Sequence, residues 1–130
     1  MIRFFMAFFV SVNAYSIEFS QFPERVSHPG ADFAGKYQII VDGCGTQCQR
    51  IIALDLVTNE ERVLVLSENG VCYQKDSRLM VVNPITEDTV SDYGGSIPAW
   101  LTTKYYVLNG DEKLILAQTS KAVTEVDCDD

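Results

Sequence analysis

Beyond residue 34 the chain alternates short apolar runs with turn residues. The runs are residues 35–42 (GKYQIIVD), 50–56 (RIIALDL), 62–66 (RVLVL), 71–74 (VCYQ), 79–83 (LMVVN), 104–108 (KYYVL) and 112–118 (EKLILAQ). Each is rich in β-branched, aromatic or aliphatic residues at strand length. Between them stand Thr58-Asn59-Glu60, Glu68-Asn69-Gly70, Lys75-Asp76-Ser77 and Asn109-Gly110-Asp111. The second and fourth are hairpin signals, because Asn and Gly tolerate the positive φ of a tight reversal. No segment sustains a 3.6-residue period, so helix should be scarce. The expected fold is all-β, a single antiparallel meander sheet (sandwich or partly closed barrel) of about seven short strands.

Two stretches break this rhythm. Residues 15–34 are irregular, interrupted by Pro23, Pro29 and Gly30, and hold the only histidine, His28. Residues 84–103 (PITEDTVSDYGGSIPAWLTT) show no strand pattern. A connection that long is uncommon inside a small domain and is often functional or mobile. The β domain is therefore expected over residues 35–130, carrying this long loop.

Residues 1–14 (MIRFFMAFFVSVNA) follow neither amphipathic period. One basic residue, Arg3, precedes an apolar run from Phe4 to Val10, and Val12-Asn13-Ala14 closes it. That is the layout of a secretory signal peptide, and the run is too short to span a bilayer. Its removal leaves 116 residues with a net charge of -9, against -8 for the whole chain. The expected location is periplasmic or secreted. No cysteine follows the expected cleavage point before Cys44, so neither a lipid anchor nor another stable membrane anchor is expected.

Composition narrows the function. The 130 residues fit one domain, and 47% hydrophobic content excludes wholesale disorder. Eighteen acidic against ten basic residues argue against a nucleic-acid partner, whose phosphates would repel the chain.

In an oxidising compartment Cys44, Cys48, Cys72 and Cys128 read first as disulfides. Of three possible pairings the favoured one is Cys44–Cys48 with Cys72–Cys128. Gly43 and Gly45 permit a tight loop around the first bond, and the second would pin the C-terminal tail to the middle of the domain. Loop entropy gives the two bonds about 2 and about 4 kcal/mol respectively. A zinc site lacks its second C-x2-C knuckle, and C-x3-C is not the usual redox spacing. No metal or cofactor is expected.

Catalytic candidates are few. His28 stands in Ser-His-Pro-Gly without a nucleophile elbow, and reads as a turn residue. Asp42, Asp55, Asp76 and Asp88 lie near strand ends, but nothing sets a carboxylate separation. Glu125, Asp127, Asp129 and Asp130 form a solvating tail without the ligand spacing of a calcium loop. The long loop offers recognition instead: Tyr93, Ile97 and Trp100 lie among glycines and Pro98, with Glu87, Asp88 and Asp92 around them. Aromatic anchors are the usual hot spots of interfaces, and the acids would favour a basic partner. Trp100 is expected to fold back over the end of the sheet, and Tyr93 to stay exposed.

Four segments occur in order: Phe33-Ala34-Gly35-Lys36-Tyr37, Gly43-Cys44-Gly45-Thr46-Gln47-Cys48-Gln49, Asp76-Ser77-Arg78-Leu79 and Tyr105-Tyr106-Val107. Together they resemble a largely uncharacterised group of small exported bacterial β-proteins with F-A-G-x-Y, G-C-G-x-x-C-Q, D-S-R-L and Y-Y-V segments. The resemblance implies fold and export rather than activity; a physical reading that suits it puts Gly35 and Gly43 at backbone bends and makes Arg78 able to pair with a neighbouring acid. In type, the chain is also similar to periplasmic immunity proteins. The leading expectation is an exported non-enzymatic binding protein, an inhibitor or immunity protein that occludes a basic toxin or cell-wall hydrolase. Alternatives are a small carboxylate-dependent envelope hydrolase and a structural envelope module. A homodimer through an exposed strand edge is also open.

Overall fold

A computed structural model describes residues 17–126 and 128. The expected leader, residues 1–14, and the tail acids Asp127, Asp129 and Asp130 lie outside the described residues. Seven strands follow in chain order: β1 (Tyr37–Gly45), β2 (Cys48–Asp55), β3 (Glu61–Ser67), β4 (Val71–Tyr73), β5 (Leu79–Val82), β6 (Thr103–Leu108) and β7 (Leu114–Ser120). Each covers one of the seven apolar runs. Among the described residues, helix is confined to a 3-10 turn at Phe19–Gln21 and one short helix, α1 (Glu87–Asp92). The fold is all-β and disulfide-stapled, with Cys44 bonded to Cys48 and Cys72 to Cys128.

All pairings between these strands are antiparallel, but the meander is divided into two sheets, β1-β2-β3 and β4-β5-β6-β7. The division falls at Glu68-Asn69-Gly70, where a hairpin was expected. The chain does bend there, yet β3 does not pair with β4. Asn83, at the end of β5, accepts from the Glu68 and Asn69 N–H groups through Oδ1 at 2.8 and 2.7 Å. Gln49 in β2 accepts from Gly70 N–H at 3.0 Å and from the Ser67 hydroxyl at 2.8 Å. Both sides of the corner are held by side chains, so the chain crosses from one sheet to the other. The Asn109-Gly110-Asp111 signal does make its hairpin, between β6 and β7.

The two sheets share a core. Phe33, Tyr37, Ile51 and Ala53 pack with Met80, Val82 and Leu108. The other face of the four-stranded sheet is covered as well, by Ile17, Phe19 and Phe22 from the irregular segment and by Val126 and Cys128 from the tail, over Leu79, Val81 and Tyr105. Strand β5 is therefore buried on both faces, which accounts for its unbroken apolar run Leu-Met-Val-Val. The outer face of the three-stranded sheet is open, with Ile40, Val63 and Leu66 exposed.

Two αL residues, Ala34 and Gly35, join the irregular segment to the first sheet. Their N–H groups donate to Ser77 O at 3.1 Å and Lys75 O at 2.6 Å. Ser77 is itself buried and donates to Phe19 O at 2.8 Å. The segments 33–37 and 76–79 are thus sewn together at one end of the sheets.

Candidate functional site

The long loop sits at the other end of β5 and β6, between Val82 and Thr103. It begins with an Asn83 in the αL region, a conformation Asn tolerates through its short polar side chain. Its first surprise is α1, where the sequence showed no helical period. Six residues are too few to display a period, and the signal is a cap instead. Thr86 Oγ1 accepts from Thr89 N–H at 3.1 Å, and Thr89 Oγ1 accepts from Thr86 N–H at 3.2 Å. Glu87 and Asp88 occupy the first turn, where the helix dipole favours negative charge. Gly94 and Gly95, both at positive φ, end the helix.

The loop is fastened along its length. Ile85 and Leu101 are fully buried. Ile85 N–H donates to Thr124 Oγ1 at 2.8 Å, and Ile85 O accepts from Thr124 N–H at 2.7 Å. Lys121, just beyond β7, donates from Nζ to Leu101 O at 2.8 Å and Ala99 O at 2.9 Å, with Pro98 O at 3.4 Å. One ammonium thus gathers three carbonyls that the irregular backbone leaves without strand partners.

On this base Tyr93 and Trp100 stand edge to face, ring centroids 6.2 Å apart and planes at 82°. Tyr93 is 38% and Trp100 42% exposed. Tyr93 is exposed as expected, whereas Trp100 does not cap the sheet. Its neighbour Leu101 is the fully buried one. Glu87, Asp88 and Asp92 are exposed on α1, and Ile97 is half-buried between the helix and Trp100 in sequence. The loop therefore presents two contacting aromatic rings and three carboxylates on anchored backbone.

Asp42, Asp55 and His28 have structural occupations, while Asp76 is exposed. Asp42 pairs with Arg50 across β1 and β2, with Nη2 at 2.6 Å. Asp55 accepts from the Val57 and Thr58 N–H groups at 2.8 and 3.2 Å and stands 3.7 Å from Lys36 Nζ. Burial pushes its carboxyl up, but those two N–H groups and the Lys36 ammonium outweigh it, and the net shift is downward. Asp42 and Asp55 belong to opposite ends of the β1–β2 ladder, and Asp88 lies on α1. His28 is a half-buried turn residue whose N–H donates to Gly35 O at 2.7 Å. Among the described residues, no three His, Cys, Asp or Glu side chains converge as a metal site.

Arg78 departs from expectation. Its Nη1 donates to Leu108 O at 2.9 Å, and among the described residues no carboxylate lies within ion-pair distance of it. Acids were available in sequence, but the β5–β6 register sets the guanidinium against a backbone carbonyl at the end of β6. It lines a cleft of about 400 Å³ that the sequence did not signal. Glu24, the cleft's other unpaired charge, lies in the irregular segment, where no pattern marked it.

Compared with known proteins, the chain matches no family model, no curated protein and no solved structure. Among the described residues no helix is long and apolar enough to cross a membrane.

Proposed function

We propose that the chain is an exported, non-enzymatic binding protein that works in the periplasm or after secretion. Its role is that of an inhibitor or immunity protein, and its partner is a basic toxin or cell-wall hydrolase whose active site it covers. The observation that carries this reading is the exposed Tyr93–Trp100 pair on a loop fastened by Leu101 and Lys121. Aromatic rings held in place before binding lose little entropy on contact, which is how anchors produce affinity. Glu87, Asp88 and Asp92 add a negative field that speeds the approach of a positive partner. The -8 net charge of the whole chain acts in the same direction.

The test is capture from periplasmic extract, with wild type, Tyr93→Ala and Asp92→Lys compared on the same bait support. A partner retained by wild type and lost by both variants, and whose hydrolytic activity wild type suppresses, supports the reading. A partner that binds all three equally removes the loop from the interface. Hydrolysis of peptidoglycan by the purified chain itself, abolished by a single Asp→Asn change, would replace the inhibitor with an enzyme.

A further inference from the structure

The cleft at the opposite end of the four-stranded sheet holds two opposite charges that do not meet. Glu24 and Arg78 both line it. Neither belongs to any of the ion pairs among the described residues. Other charges in the cleft are already spent: Glu112 accepts from the Tyr37 hydroxyl and lies 3.2 Å from Lys36 Nζ. What remains unpaired is one carboxylate and one guanidinium, facing the same space.

Both are held in place. The Glu24 stem lies against Gly35, its Cγ 2.8 Å from where a β-carbon there would be, and Glu24 N–H donates to Asp76 O at 2.8 Å. Arg78 is clasped by Leu108 twice, through Nη1 to Leu108 O and through Leu108 N–H to Arg78 O, each at 2.9 Å. Asn109, next in chain, adds a donor. Its Oδ1 accepts from Asp111 and Lys113 N–H at 2.9 and 3.0 Å, which fixes the amide and leaves Nδ2 as a donor with no acceptor in the described protein. Asn109 also lines the cleft.

The geometry points to a binding site for a small zwitterion of the amino-acid or short-peptide class. The ligand carboxylate is received by Arg78 with the Asn109 amide, a guanidinium being the side chain best matched to a carboxylate. The ligand ammonium is received by Glu24. A volume of about 400 Å³ is in the range of small-molecule sites and admits a dipeptide. This site is separate from the aromatic loop, which lies beyond the far ends of β5 and β6.

The experiment is a titration of the purified, isotopically labelled protein, followed by amide chemical shifts. The probes are L-alanyl-L-alanine, acetate and ethylammonium. Saturable shifts at Gly35, Arg78 and Gly110 with the dipeptide are expected, with far weaker ones for the two single-charge probes. Glu24→Gln, whose side chain makes no intramolecular bond to lose, should weaken dipeptide binding about tenfold or more. Arg78→Lys, checked for an unchanged fold by its spectrum, should do the same. Absence of saturable shifts with the dipeptide overturns the site. Equal shifts from acetate together with an unaffected Glu24→Gln also overturn it, since the cleft would then hold a lone anion.

Discussion

A β-carbon placed on Gly35 would stand 1.8 Å from the carbonyl oxygen of Val26. The φ of Gly35 is +73°, so both the space and the backbone conformation demand glycine. Gly35→Ala must push backbone aside and should cost about 3 kcal/mol or more. Gly43 meets nothing within 4 Å, and Gly43→Ala should stay within about 0.5 kcal/mol of wild type. Urea denaturation midpoints of the two variants check the contrast.

Asn83 should be the most costly polar residue to truncate. It accepts from two N–H groups and donates to Glu68 Oε1 at 2.7 Å and Thr102 O at 3.3 Å, while 1% exposed. Asn83→Ala leaves those donors without a partner, a loss of about 3 kcal/mol. Hydrogen exchange at Glu68 and Asn69 should rise more than exchange in β2, because the corner between the sheets opens first.

The loop separates stability from recognition. Tyr93→Ala and Trp100→Ala remove exposed rings and should each cost about 1 kcal/mol or less in folding. Leu101→Ala empties a fully buried position and should cost about 2–5 kcal/mol. Thermal unfolding measures the first comparison. Partner capture should show the reverse ranking wherever the Leu101 variant remains folded.

Acid titration of stability should reveal two carboxylates of opposite sign. Asp55 has a lowered pKa in the folded state, as argued above. Its contribution is present above the ordinary carboxylate value of about 3.9 and is lost as pH falls through the lowered one. Asp32 is pushed up by burial, only partly offset by the N–H it accepts from Ile39 at 2.8 Å. Its ionisation therefore weakens folding as pH rises from the ordinary value through the raised one. Asp55→Asn should flatten the acid limb of stability, and Asp32→Asn, which keeps an oxygen for Ile39, should leave neutral stability unchanged or higher. Denaturation midpoints between about pH 2 and 7 read both effects.

The two disulfides should differ in weight. They close spans of 4 and 56 residues, for which loop entropy gives about 2 and about 4 kcal/mol. Paired Cys→Ser variants, compared by guanidinium denaturation, should show the larger loss for Cys72 and Cys128. Free-thiol counting on the native protein should find neither pair reactive.

Strand positions were legible because β-branched runs bounded by turn residues carry their own signal. Partnership was less so. Asn69-Gly70 announces that the chain reverses, not which strand receives it, and the receiver was chosen by Asn83 and Gln49, both distant in sequence. Leu-Met-Val-Val in β5 hid which residues face which core, since burial on both faces erases alternation. At the loop, aromatic and acidic character was readable, but the choice of Leu101 over Trp100 as the buried residue rests on Lys121 reaching back to carbonyls twenty residues earlier. The cleft was invisible for the same reason: Glu24 and Arg78 belong to segments far apart in sequence, joined by the Pro23–Ser77 bridge, with Glu24 N–H donating to Asp76 O and Arg78 N–H to Phe22 O, each at 2.8 Å.

The bond between Cys72 and Cys128 also has a place in time. All seven described strands precede Cys128 in the chain, so that covalent ring can close only after every strand has been made. The Cys44–Cys48 bond can form as soon as the first hairpin exists. The fold is consequently sealed in two stages, early at the tip of one sheet and last across the back of the other. A chain that has completed all seven described strands but not the second bond is held covalently at the β1–β2 tip alone.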